Sequence, residues 1–133
     1  IKQQIESNSL QKQVQLLGSI PFAQMSAYFE SHQLFVMPSF YEPFGIVYIE
    51  AMGAGLPIIA STAGAGRELI QHEENGFLVQ AGSSADISNA IRQVASDRLK
   101  LAEMGQRARV RYEQHPTWAE TGKTITTFLE SLI

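Results

Sequence analysis

Short apolar runs alternate along this chain with longer stretches whose apolar residues recur every three or four positions. The runs fall at residues 14–17, 34–37, 57–60 and 77–79. Their length is that of strands, and the run at 34–37 has no polar position, as in a parallel strand buried on both faces. Between them, Phe22, Met25 and Phe29 after Pro21 predict a helix that ends near His32. Ile46, Val47, Ile49 and Met52 predict a second helix, starting at about Phe44 or Gly45 and capped by Gly55. Residues 67–71 predict a short helix before a turn at 74–76. Ser83, with Asp86 three residues on, caps a helix over 83–97 that should bury Ile87, Ile91 and Val94. Leu101, Met104 and Ala108 mark the buried stripe of the next. Thr117 with Glu120 forms a capping box for a last helix, expected to bury Thr121, Ile125, Phe128 and Leu132. Ile1 and Ile5 hint at an amphipathic turn within the first ten residues.

This alternation predicts the α/β class, a Rossmann-like parallel sheet with helices on both faces. Ligands of such sheets bind beyond the carboxyl ends of the strands. The loops at 39–45 and 61–66 follow two such ends and should face one crevice. Gly53, Ala54 and Gly55 are small enough to let helix and sheet approach closely.

Composition narrows the partners. The 133 residues suit one domain, 44% of them are apolar, and the net charge is −3, which recommends neither nucleic acid nor an anionic membrane. No run of 18 apolar residues and no basic-then-apolar leader occurs, so a cytoplasmic, soluble chain is expected. The absence of cysteine excludes disulfides and thiolate metal sites. The chain opens at Ile1 inside a polar helical pattern, as expected for a piece of a longer protein.

The chemistry concentrates in residues 38–61, PSFYEPFGIVYIEAMGAGLPIIAS. Pro43 pushes Glu42 out of the helical region and leaves it on the loop above the helix. The N–H groups of Phe44, Gly45 and Ile46 then stand at a helix N-terminus, which favours phosphate. Glu50 lies eight residues beyond Glu42. At helical rise that spacing spans about 12 Å, roughly the length of a nucleoside diphosphate sugar from hexose to ribose. One carboxylate could meet the sugar, the amides the diphosphate and the other carboxylate the ribose. Ser39 and Glu42 also match a capping box, but Pro43 forbids a helix from Phe40, so that match is expected to be unused.

The same residues resemble the E-x7-E signature of family 4 (group 1) glycosyltransferases, which have the two-domain GT-B fold. The flanks agree: VQLLG at 14–18, LFVMPS at 34–39, GAGRELI at 64–70, NGFLV at 75–79 and Thr117-Trp118 each resemble a segment of the family pattern. The resemblance implies that residues 1–133 are part of the nucleotide-sugar donor domain, shortened at its N-terminus and without the N-terminal domain that holds a sugar, lipid or other acceptor. It implies a donor site of Glu42, Pro43, Phe44, Gly45, Ile46 and Glu50. Glu42 would be the catalytic group beside the sugar and Glu50 the ribose ligand, since a carboxylate accepts from two adjacent hydroxyls. The reaction implied is hexosyl transfer with retention, with no metal and no cofactor beyond the donor. The family's Arg and Lys for the leaving diphosphate would lie upstream of Ile1, so the 133 residues alone should bind donor weakly and transfer nothing. The implied strand order is 3-2-1-4-5-6 with the first two strands missing. Strand 14–17 would have lost its neighbour, predicting its displacement or self-association through open sheet edges.

Other readings carry less. A glycoside hydrolase needs carboxylates about 5 to 9.5 Å apart across one bond. The GAGREL loop lacks the third glycine of a dinucleotide fingerprint, and Gln80 stands where an acidic residue would follow. Arg98, Lys100, Arg107, Arg109 and Arg111 read as a solvated helix face, with Glu103 and Arg107 paired at i, i+4. His32, His72 and His115 stand apart, and no D-x-D pair exists to hold a metal on a diphosphate. Trp118 reads as core or docking surface. The alternatives kept are a non-catalytic nucleotide or sugar-phosphate binding module and a GT-B epimerase.

Overall fold

A computed structural model describes residues 1–132. The elements in order are α1 (Lys2–Ser7), α2 (Phe22–Ser31), β1 (Phe35–Met37), α3 (Ile46–Gly53), β2 (Ile58–Ser61), α4 (Gly66–Leu69), β3 (Gly76–Val79), α5 (Ser84–Ser96), α6 (Arg98–Glu113) and α7 (Trp118–Glu130). The strands form one parallel sheet in the order β1-β2-β3, with Phe35 opposite Ile58 and Ile58 opposite Gly76.

β2 lies in the middle, and all of its residues are buried. Alternate side chains of a strand face opposite ways. Ile58 and Ala60 therefore enter one core with Phe29, Tyr48, Met52 and Leu69, while Ile59 enters another with Phe77, Val94 and Met104. Helices cover both faces, α2 to α4 on the first and α5 with α6 on the second, as the alternation predicted. α6 turns round the edge: its Met104 belongs to the second core and its Ala108 to the first.

Several expectations are corrected. Residues 14–17 form no strand, and Val14, Leu16 and Leu17 are exposed. A parallel strand exists only through its ladder, and among the described residues no strand pairs with that run, so its displacement from the sheet is as expected. β1 consequently has a partner on one side only among the described residues, and Val36 is exposed rather than buried on both faces. The 53–55 segment admits α6, not the sheet. A Cβ on Gly53 would lie 3.0 Å from the Tyr112 ring, and one on Gly105 would press on the Gly55 carbonyl at 2.5 Å. Gly55 does end α3 as expected, at φ +77 with Leu56 N–H donating to Ala51 O at 3.1 Å and Gly55 N–H to Met52 O at 2.9 Å. α5 buries Ala90 and Val94, while Ile87 is half-buried and Ile91 exposed. α7 opens on the expected capping box at Thr117 and Glu120 yet buries none of its residues; Ile125, Phe128 and Leu132 are exposed, as is Trp118.

Asn75, which reads as a turn residue, is one of the buried polar side chains of the core. Its Oδ1 accepts from Gln71 N–H at 2.7 Å and its Nδ2 donates to Leu69 O at 3.1 Å, tying the end of α4 to the start of β3. Asn75→Ala orphans both backbone groups and is expected to cost about 2 kcal/mol in urea unfolding.

Candidate functional site

The carboxyl edge of the sheet carries the loops that follow β1 and β2, and the backbone locks them together. Glu42 and Gly64 form an isolated parallel bridge, and Ala65 N–H donates to Glu42 O at 2.8 Å. Gly64 sits at φ +76, and a Cβ there would overlap the Glu42 carbonyl oxygen and lie 2.8 Å from its carbon. Gly45, at φ +66, is the N-cap of α3; a Cβ on it would stand 2.7 Å from Leu69 Cδ1 and 3.0 Å from Ala65 Cβ. The two loops therefore lie side by side at the carboxyl edge, joined backbone to backbone. The loop after β3 joins them through Gly82, which packs against the Phe40 ring.

Glu42, Pro43, Phe44, Gly45 and Ile46 are brought together here. α3 begins at Ile46, one to two residues later than predicted, because Gly45 in its left-handed conformation cannot be helical. The unused Ser39–Glu42 box is confirmed as unused. The amides are not all free, however. Glu42 Oε1 accepts from Gly45 N–H at 3.0 Å and Phe44 N–H at 3.4 Å, so the carboxylate itself occupies the place foreseen for phosphate. Helical rise begins only at Ile46, so it does not run through every residue from Glu42 to Glu50 as the spacing argument assumed.

Glu50 stands one helical turn beyond Ile46, on the side of α3 that reaches solvent, and is half-buried. It lines a cleft of about 400 Å³ between α2 and α3, with Phe22, Met25, Phe29, Glu30 and Tyr112 among the other walls. Glu42 does not line that cleft. The two carboxylates occupy different stations, joined by the exposed ridge of Ile46.

Tyr48 lies beneath the loop, fully buried, with its hydroxyl donating to Met37 O at 2.8 Å. Burial first, and the Glu42 charge second, push its phenol above the ordinary value, so it remains a donor. In the sequence it stands inside an apolar helical stretch and reads as core; only its hydroxyl distinguishes it. The basic cluster is likewise more than a solvated face. Arg109 donates to Gly53 O, lies 5.4 Å from the Tyr112 ring and pairs with Glu113 at 2.9 Å, and Arg111 donates to Glu68 O at 2.9 Å. Among the described residues the ion pair is Arg109–Glu113, in place of the expected Glu103–Arg107. No group of three His, Asp or Glu among the described residues could hold a metal ion.

Comparison with known proteins bears on the family and the fold. The family model described as Glycosyl transferases group 1 matches residues 1–111. A D-inositol 3-phosphate glycosyltransferase of Pseudarthrobacter chlorophenolicus is 32% identical over 105 residues, which cover 79% of this chain and 25% of that protein. Sucrose-phosphate synthase from Thermosynechococcus elongatus superposes on 98% of this chain and 33% of its own, with a TM-score of 0.86 and 29% identity. Anabaena HepE, solved in complex with UDP-glucose, superposes with a TM-score of 0.85 and 31% identity over 98% of this chain and 35% of its own. This chain therefore spans a quarter to about a third of the length of such relatives. Its α/β architecture is that of part of a GT-B glycosyltransferase.

Proposed function

Because this chain belongs to the group 1 glycosyl transferases, we propose that it forms the donor-binding part of an enzyme transferring a hexosyl group from a nucleotide-diphosphate sugar to an acceptor, with retention at the anomeric carbon. The observation that carries this reading is the pair of loops joined at Glu42 and Gly64, set at the N-terminus of α3 with Glu50 one turn along. The UDP-glucose complex of the similar HepE supports a nucleotide sugar as the ligand class.

In this reading Glu50 accepts from both ribose hydroxyls, at the wall of the α2–α3 cleft. The diphosphate takes the Phe44 and Gly45 amides from the Glu42 carboxylate, exchanging one anionic acceptor for another. Glu42, released, accepts from sugar hydroxyls and stabilises positive charge that develops at the anomeric carbon as the bond to the diphosphate oxygen breaks. The diphosphate charge is met by helix amides rather than by a bound cation, in keeping with a sequence that has no D-x-D pair.

The test is isothermal titration of the full-length protein with a panel of nucleotide sugars. One donor should bind, and Glu50→Gln should weaken it about tenfold by removing a charged acceptor. Unchanged affinity in that variant would remove Glu50 from the site. Transfer should also proceed undiminished in EDTA, measured as nucleoside diphosphate release; its loss would show that a cation shares the diphosphate.

A further inference from the structure

We propose that Tyr48 is the positioning residue of the loop that carries Glu42, because one side chain holds both ends of that loop. At the leading end its hydroxyl donates to the carbonyl of Met37, the last residue of β1. At the trailing end its ring supports Gly45, where an added Cβ would lie 2.9 Å from Tyr48 Cδ2. The ring itself is fixed, fully buried and edge-on to Phe35 with centroids 6.4 Å apart. Ser39 N–H donates to the same Met37 carbonyl at 3.0 Å, so both lone pairs of that oxygen are engaged where the chain leaves the sheet.

Packing does not account for the hydroxyl. A phenylalanine ring would fill the same space, and burying an O–H gains nothing unless it finds a partner. The partner it finds is the point from which the loop springs. The role matters for the reading given above, on which the functional half of this inference rests. Glu42 must leave the Gly45 amide and reach the donor sugar, and this movement is productive only from a backbone held to within about 1 Å.

The experiment compares wild type with Tyr48→Phe in the full-length protein, by two independent measurements. The first is amide hydrogen exchange at Phe44 and Gly45, whose N–H groups Glu42 holds in the resting loop. Exchange should quicken about tenfold in the variant, while the amides of β2 keep their protection. The second is steady-state transfer from UDP-glucose together with titration of UDP. The kcat should fall about tenfold, with KM for UDP-glucose and Kd for UDP rising clearly less than that, since the Glu50–ribose contact is untouched although the Phe44 and Gly45 amides lie on the loosened loop. Unchanged exchange at Phe44 and Gly45 overturns the proposal. So does an equal loss of UDP affinity and kcat, which would mark Tyr48 as general scaffold. If the wild-type protein binds no nucleotide sugar of the panel, the donor assignment fails by itself and exchange alone decides what Tyr48 does; if it takes a donor other than UDP-glucose, that donor and its nucleoside diphosphate replace them in the second measurement.

Discussion

Replacing Gly64 with alanine is expected to slow hexosyl transfer by the full-length protein about 100-fold at saturating donor, with the fold retained. A Cβ at that position would overlap the Glu42 carbonyl oxygen and lie 2.8 Å from its carbon and 3.1 Å from the Glu42 nitrogen. Every one of these atoms is backbone, so no flexible side chain can swing aside. The residue also sits at φ +76, which costs an L side chain about 1 kcal/mol or more. The loop after β1 must therefore separate from the loop after β2, breaking the Ala65 N–H bond to Glu42 O and, in the proposed reaction, carrying the Glu42 carboxylate away from the donor sugar. The β2–β3 ladder and the second core involve neither loop and should persist, and the first core touches the junction through Ala65. Rates of nucleoside diphosphate release, read beside a circular dichroism melt, check both halves. Transfer at the wild-type rate would mean that the joined loops do not position the reacting group.

Gly76→Ala should have the larger effect on stability, about 4 kcal/mol or more, measured by urea unfolding or seen as failure to accumulate folded protein. Gly76 needs no unusual φ. Its constraint is the approach of the central strand: a Cβ there would overlap the Ile58 carbonyl oxygen and lie 2.9 Å from the Ile58 nitrogen. Ile58 is the register partner of Gly76, and both β1 and β3 hang on the strand that Ile58 begins. A methyl group at this point forces β3 off β2 at its first pair, next to the buried Asn75 that ties β3 to α4. Glycine in a strand often marks such a close backbone approach. A variant within 1 kcal/mol of wild type, on the order of an exposed-site change, would mean that the ladder yields more easily than its geometry indicates.

How much of this was legible beforehand differs from element to element. The strands 34–37, 57–60 and 77–79, the helices between and after them, and the caps at Gly55, Ser83 and Thr117 follow from local periodicity and local hydrogen bonding. Each depends on residues within a few positions of one another, so the linear pattern contains the information. The grouping of residues 42–46 at a helix N-terminus was legible for the same reason, through Pro43 and Gly45. The strand read at 14–17 failed because a strand is completed by a neighbour, and α7 remained uncovered because an apolar stripe calls for a partner without supplying one.

The order of apolar and polar residues along this chain determined by itself the α/β class and the loops at the carboxyl edge of the sheet, while the residues proposed for the site, from Glu42 to Glu50, were picked out by their chemistry and by a family resemblance. The tertiary structure alone decided that Gly64 meets Glu42, that Gly53 and Gly105 admit helix contacts rather than the sheet, that the Glu42 carboxylate accepts from the Gly45 amide, and that the Tyr48 hydroxyl meets the Met37 carbonyl. The division has one physical cause. Periodicity and capping act over a single turn of chain, whereas which backbone comes close to which glycine, and which carbonyl a buried hydroxyl finds, is settled only when distant segments pack together.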